Sequence, residues 1–189
     1  MFNYNLIYIV MYISKILKKK VEYIYINNNT IYCKIKSKDL KLFMNFFKNN
    51  YNLQFKQLLD IWAEDYLKTD GRFVINYLFL SVKFNIRLIL KISLNEKEGI
   101  DSLVSDYKSA NWLEREVWDM FGIFFFNHND LRRILTDYGF EGYPLRKYFP
   151  ITGYTEVNYD FETKRILYTP LNLTQEIRSY IYLNPWIQN

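Results

Sequence analysis

Apolar spacing divides the chain into elements before any single residue stands out. From Leu6 to Leu17, the residues Leu6, Ile9, Val10, Ile13, Ile16 and Leu17 recur at helical steps, which predicts one helix face turned to a core. Asn5, Tyr8, Tyr12 and Lys15 fall on the opposite side, and Lys18, Lys19 and Lys20 close the segment, where cations suit the helix dipole. The run is shorter than the ~20 residues a bilayer span requires. It is also poorer in arginine and serine than a targeting presequence, so no targeting segment is expected. The period then changes to two. Val21–Ile26 and Ile31–Lys36 alternate on either side of Asn27, Asn28, Asn29 and Thr30, a turn cluster, and predict a β-hairpin.

A second helix is predicted where Leu40, Phe43, Met44 and Phe47 repeat at helical spacing, capped by Ser37 or Asp39 and ending near Asn50. Three strands follow, Leu53–Ala63, Arg72–Ser81 and Phe84–Leu94, the last with Phe84, Ile86, Leu88, Leu90 and Ile92 on one face. Helix, two strands, helix and three strands imply an α+β fold. Two layers are expected, a mixed sheet of about five strands with two helices on one face. Lys34, Lys36, Lys83 and Lys91 mostly alternate with apolar residues, so the outer sheet face is expected to be solvated. The sharper alternative is a nucleic-acid surface, because Tyr32 shares a face with Lys34 and Lys36.

Beyond Gly99 the pattern breaks up. All four prolines and four of the six glycines lie after residue 120, which argues against long regular elements there. The same region is rich in Phe, Tyr, Leu and Ile, unlike a polar linker. A largely irregular, apolar extension is uncommon unless it lies on something else, so the tail is expected to wrap another protein. The expected organisation is an α+β domain over 1–110, a motif helix and turn region over 111–150 and an extended tail over 151–189.

Composition narrows the chemistry. Phe, Tyr, Ile, Asn and Lys make up roughly half of the chain, a bias that AT-rich organelle or parasite genomes impose on coding sequence. One cysteine, Cys33, and one histidine, His128, cannot build a disulfide, a zinc site or an iron–sulfur site within the chain. The net charge of +5 arises entirely in residues 1–109, with 17 basic and 10 acidic side chains against 8 and 10 afterwards. Six of eight arginines follow residue 110, and arginine is the cation suited to fixed, desolvated contacts.

Four of those six, Arg115, Arg132, Arg133 and Arg146, fall in the stretch from Asn111 to Pro150. Asn111 followed by Glu114 resembles a capping box opening a helix that stops at Gly122. Leu113, Val117, Met120 and Phe121 would line its apolar face, and Arg115 and Asp119 sit four apart on a charged one, suggesting a partly buried ionic network. Asn127 or Asn129 could cap a short helix through Leu135 with Arg132 and Arg133 at its middle. Turns at Tyr138–Phe140 and Glu141–Pro144 would then throw Arg146 and Lys147 outward. Acid–base catalysis by Glu114 or Glu116 with His128 is a weak reading, since no nucleophile–base pair or phosphate loop accompanies them, and His128 is expected to cap or pack.

EREVWDMFGI, NHNDLRRILTDYGFEGYPLRKYFP, TEVNYD and LTQEIR closely resemble the thirty-kilodalton subunit of respiratory complex I, the mitochondrial NADH:ubiquinone oxidoreductase, and its bacterial counterparts. The resemblance is strong over residues 110 to 186 and matches the family at Glu114, Arg115, Glu116, Asp119, Gly122, His128, Asp130, Arg132 and Arg133. It continues through Asp137, Gly139, Gly142, Pro144, Leu145, Arg146, Lys147 and Pro150. Asn129, Tyr143, Tyr148 and Thr169 depart from the family's proline, histidine, aspartate and glutamate. The resemblance implies a peripheral-arm subunit on the matrix side of the mitochondrial inner membrane, touching the membrane only through the complex. It implies a forty-nine-kilodalton quinone-site neighbour under the tail, other peripheral-arm subunits as partners and no nucleic acid. It further implies no catalytic residue here, with FMN, iron–sulfur clusters and ubiquinone bound by neighbouring subunits. A basic RNA-binding organelle protein is the alternative, and a free-standing hydrolytic or transfer enzyme using Glu116 and His128 is the third reading.

Overall fold

The computed structural model describes residues 4–17, 20–67 and 71–172 and positions 176, 178, 180 and 186. Lys18, Lys19, Pro185 and most of the LTQEIR run lie outside the described residues. The chain forms two compact units, residues 1–146 and 147–189.

The first unit is α+β. Helix α1 (Tyr4–Ile16) precedes strands β1 (Val21–Asn27) and β2 (Thr30–Ile35), joined through Asn28 and Asn29, both at positive φ. A 3-10 turn over Ser37–Asp39 leads into α2 (Leu40–Asn49) with no side-chain cap from Asp39, whose carboxylate pairs instead with Lys20 at 3.0 Å. Strands β3 (Gln57–Asp65), β4 (Phe73–Ser81) and β5 (Ile86–Leu94) complete a sheet of order β1-β2-β5-β4-β3, in which only the β2–β5 pairing is parallel. The short parallel pair β6 (Ile100–Asp101) and β7 (Phe125–Phe126) flanks α3 (Ala110–Phe121) in the chain.

Alternation decides which sheet face is covered. Ile31, Cys33 and Ile35 of β2 stand in register with Leu88, Leu90 and Ile92 of β5, which align with Phe79, Tyr77 and Ile75 of β4. These join one buried cluster with Leu6, Ile9, Ile13 and Leu17 of α1, with Leu40, Phe43, Met44 and Phe47 of α2, and with Ala110, Val117 and Phe121 of α3. All three helices therefore share one face, one helix more than the apolar periods before residue 110 predict.

Two strand boundaries differ from expectation. Leu53 and Phe55 are buried but precede β3, because Leu53 and Gln54 donate back to the Asn50 carbonyl and Phe55 donates to Phe47, closing α2 with a turn. Phe84 lies in the β4–β5 turn, where Asn85 takes φ 50°, and not on the inner face of β5.

The second unit contains a hairpin of β8 (Thr155–Asp160) and β9 (Arg165–Pro170). This is a regular element inside the extension expected to be irregular. Asp160 nucleates its turn by accepting from the Glu162 and Thr163 amides and the Thr163 hydroxyl, and Lys164 takes φ 52°. Among the described residues, every buried apolar side chain lies at or before Phe125. The hairpin instead exposes Val157, Tyr159, Ile166, Leu167 and Tyr168.

Candidate functional site: a helix that grips its own loop

Helix α3 buries charge as well as hydrocarbon. Its N-terminus is not the expected capping box. The helix begins at Ala110, the Ser109 hydroxyl donates to the Leu58 carbonyl, and Glu114 turns away from the helix start. The Glu114 carboxylate accepts from the Ser102 hydroxyl at 2.6 Å and the Leu103 amide at 2.7 Å, pinning the segment before the helix to its flank. Leu103 and Tyr107, both buried, hold that segment over the sheet, which draws the carboxylate sideways.

Arg115 and Asp119, four residues apart, do not pair with each other. Arg115 donates to the carbonyls of Arg132 (2.9 Å) and Arg133 (3.2 Å). Asp119 accepts from the amides of Ile134 (3.1 Å), Leu135 (2.7 Å) and Thr136 (2.9 Å), from the Thr136 hydroxyl (2.6 Å) and from Arg133 (3.3 Å). Five consecutive backbone groups of residues 132–136 are thus consumed by two helix side chains. The short helix expected through Leu135 does not form for this reason, because the polar groups its ladder would use are already satisfied. Asn127 takes φ 61° and bonds Asp101 in place of capping a helix.

His128 stands between loop and helix. Its Nδ1 accepts from the Asp130 amide at 3.1 Å, so Nε2 carries the proton and donates to the Asn111 carbonyl at 3.2 Å. The ring and the Glu114 carboxylate, 3.9 Å apart, are both out of contact with solvent. Glu116 is exposed, and among the described residues it is not a partner of His128.

The C-terminal end of α3 is closed by Arg146. The expectation that the turns throw it outward is wrong. Arg146 is buried, donates to the carbonyls of Phe121 and Gly122, approaches Glu96 at 3.4 Å and lies over the rings of Phe73 (5.2 Å) and Tyr143 (4.4 Å). A helix C-terminus with orphan carbonyls and two aromatic faces is a better environment for a guanidinium than the turn geometry alone suggested. Arg133 repeats the theme, donating to the Gly142 carbonyl and lying 5.2 Å from the Tyr143 ring centre. Tyr143 is thus a shared platform despite departing from the family's histidine.

The other residues singled out from sequence are peripheral. Arg132 pairs with Asp130 on the surface, where such pairs contribute little. Asp137 accepts from the Tyr138 amide, Gly139 and Gly142 take positive φ in their turns, and Pro144 is half-buried. The Leu145 amide donates to the Met120 carbonyl. Lys147 is exposed, and the Pro150 carbonyl accepts from Gly153. Sequence reasoning missed Ser102, Thr136, Glu96 and Phe73, none of which carries a local signal.

Burial pushes the Glu114 carboxyl from its ordinary value near 4.5 up to about 7, against the opposing effect of the Ser102 and Leu103 hydrogen bonds. The folded chain therefore binds an extra proton between those values, so this group's stabilising effect is greatest below the unfolded value and is lost as pH rises toward 7. The loss is about 3 kcal/mol by proton linkage. Urea unfolding at about pH 5 and about pH 8 is expected to show this decline, and Glu114→Gln, whose carbonyl can accept from the Leu103 amide while its amide donates to the Ser102 hydroxyl oxygen, to flatten it. An unchanged slope in the variant would show that Glu114 is not its source.

Comparison with known proteins decides the family. The family model for the respiratory-chain NADH dehydrogenase 30 Kd subunit matches residues 33–155, more than half of the chain. The chain belongs to that family. The NADH-ubiquinone oxidoreductase subunit 9 of Reclinomonas americana is 49% identical over 154 residues, 82% of this chain and 76% of that protein. A mitochondrial relative from Candida albicans, NADH dehydrogenase [ubiquinone] iron-sulfur protein 3, is 55% identical over 137 residues, 72% of this chain and 49% of its own length. The trypsin-resistant fragment (1-134) of Nqo5 superposes with a TM-score of 0.57 at 26% identity, covering 67% of this chain and 99% of the fragment. As a member of this family, the chain is a complex I subunit. None of its described helices is long and apolar enough to cross a membrane.

Proposed function

We propose that the chain is a non-catalytic core subunit of the peripheral arm of NADH:ubiquinone oxidoreductase, on the matrix side of the mitochondrial inner membrane. In this reading the tail lies on the forty-nine-kilodalton quinone-site neighbour, and α3 with its gripped loop fixes the end of the first unit, from which the tail departs. FMN, iron–sulfur clusters and ubiquinone belong to neighbouring subunits.

The observation that carries the reading is the β8–β9 hairpin, which exposes five large apolar side chains and buries none. A lone two-stranded hairpin is marginally stable in water, and exposed apolar area of this kind marks an interaction surface. The site geometry supports a structural role, since Glu114 and His128 are shut off from solvent and every strong contact of Arg115 and Asp119 is to the protein's own loop. Among the described residues, no group of three or more His, Cys, Asp or Glu could hold a metal ion.

The test is cross-linking from Tyr159 and Ile166 in the assembled enzyme, combined with native electrophoresis. Co-migration with NADH dehydrogenase activity and adducts with the quinone-site subunit are expected. Migration with ribosomes, or flavin absorbance in the isolated chain, would contradict the proposal.

A further inference from the structure

The sheet has a second face that none of the described helices covers. Strand register arranges its side chains in rows, with Tyr23, Lys34, Lys91, Asn76 and Trp62 in one and Tyr25, Tyr32, Ile89, Leu78 and Asp60 in the next. Leu80 and Arg87 pair in a third row. A solvated outer face should be polar throughout, and this one is not. Ile89 is only 9% exposed, and Val74, Leu78, Leu80 and Trp62 are half-buried, although among the described residues none of the five belongs to the core cluster.

Charge is sorted across the same face. Lys91 and Arg87 stand on the central strand β5, and Lys34 on β2 is paired with Glu22 of the edge strand β1 at 3.1 Å, whereas the acids Asp60 and Glu64 stand on β3, the other edge strand. Between them runs the aliphatic centre. Tyr25 and Tyr32 stack nearly parallel at 5.0 Å, with the Lys91 ammonium 5.9 Å from the Tyr32 ring centre. An apolar centre, a charged rim and rigid tyrosines form the anatomy of a protein interface.

We propose that this open sheet face is a second docking surface for a neighbouring subunit of the complex, separate from the tail. Its partner is a protein patch with an aliphatic centre that sets carboxylates against Lys91 and Arg87 and a cation against Asp60. Single-stranded RNA is the poorer fit. It needs a continuous cationic track and aromatic faces for its bases, whereas this face interposes aliphatic side chains and carries two acids.

The inference rests on the subunit reading above, and its test separates the two. A photoreactive amino acid replaces Leu80 in the full chain, and adducts are mapped in the purified assembly. An adduct with another protein subunit is expected. Adducts only with residues 147–189 of the same chain, with a second copy or with RNA, or no protein adduct, would overturn the proposal. Lys91→Glu combined with Arg87→Glu changes exposed or half-exposed groups, so the isolated chain should keep its circular dichroism while incorporation into the complex falls about fivefold or more. Undiminished incorporation would count against the surface. If the wild-type chain does not co-migrate with NADH dehydrogenase activity, both readings fall. If it co-migrates and Leu80 gives no adduct with a neighbouring subunit, the docking surface alone is wrong.

Discussion

Asp119→Ala is expected to lower the stability of the first unit by about 3–5 kcal/mol, the usual cost of removing one member of a buried ionic group. Three amides, the Thr136 hydroxyl and Arg133 would lose the acceptor they share, inside a site where the carboxylate itself is fully buried. Burial raises the Asp119 carboxyl, but the Thr136 hydroxyl and the three amides outweigh it and hold the group below its ordinary range. A carboxylate with a lowered folded pKa stabilises above its unfolded value, about 3.9, and loses that contribution as pH falls through the folded value. The difference between wild type and Asp119→Ala should therefore persist through neutral pH and shrink in strong acid. Hydrogen exchange supplies the local test. The amides of residues 134–136 should be protected in the wild type and exchange far faster in the variant. Equal protection in both proteins would show that the loop is held by something other than Asp119.

The parts of this architecture that were legible before the structure share one property, in that the burial pattern lies within a single element. Leu6, Ile9, Ile13 and Leu17 announce an inward helix face, and Ile31, Cys33 and Ile35 announce an inward strand face, because side-chain direction follows from spacing alone. The grip of α3 on its loop was half legible. Arg115 and Asp119 were rightly placed on one buried face, but their partners lie up to eighteen residues away, on a backbone with no pattern of its own. Asn127 and Asn129 favour a helix start by local chemistry, and the tertiary competition for residues 132–136 overrides it. Arg146 failed for the same reason, because Phe73 and the exposed carbonyls of Phe121 and Gly122 are invisible from the turn sequence around it. In the tail only Thr155–Asp160 alternates, whereas its partner strand Arg165–Pro170 carries Ile166, Leu167 and Tyr168 in one run, and the turn between them is made by Asp160 and Thr163 with no glycine at all.

Gly122→Ala is expected to be comparably damaging, and for two separable reasons. Gly122 ends α3 at φ 71° and ψ 33°, a left-handed conformation that costs an ordinary L residue about 1–2 kcal/mol. A Cβ there would also lie 2.5 Å from Cζ of Tyr143 and 2.6 Å from Nη2 of Arg146, closer than atoms can approach. Relief requires moving the ring on which Arg133 and Arg146 rest, or displacing Arg146 from the helix-end carbonyls. Conformation and crowding together should cost about 3 kcal/mol or more. Asparagine tolerates the left-handed region, so Gly122→Asn separates the two causes. If φ dominates, asparagine recovers most of the loss. If crowding dominates, it recovers none, and Tyr143→Ala combined with Gly122→Ala recovers part of it as a non-additive coupling in a double-mutant cycle. Thermal unfolding of the wild type and the four variants reads both. Full additivity between positions 122 and 143, with no rescue by asparagine, would mean that neither contact governs how α3 ends.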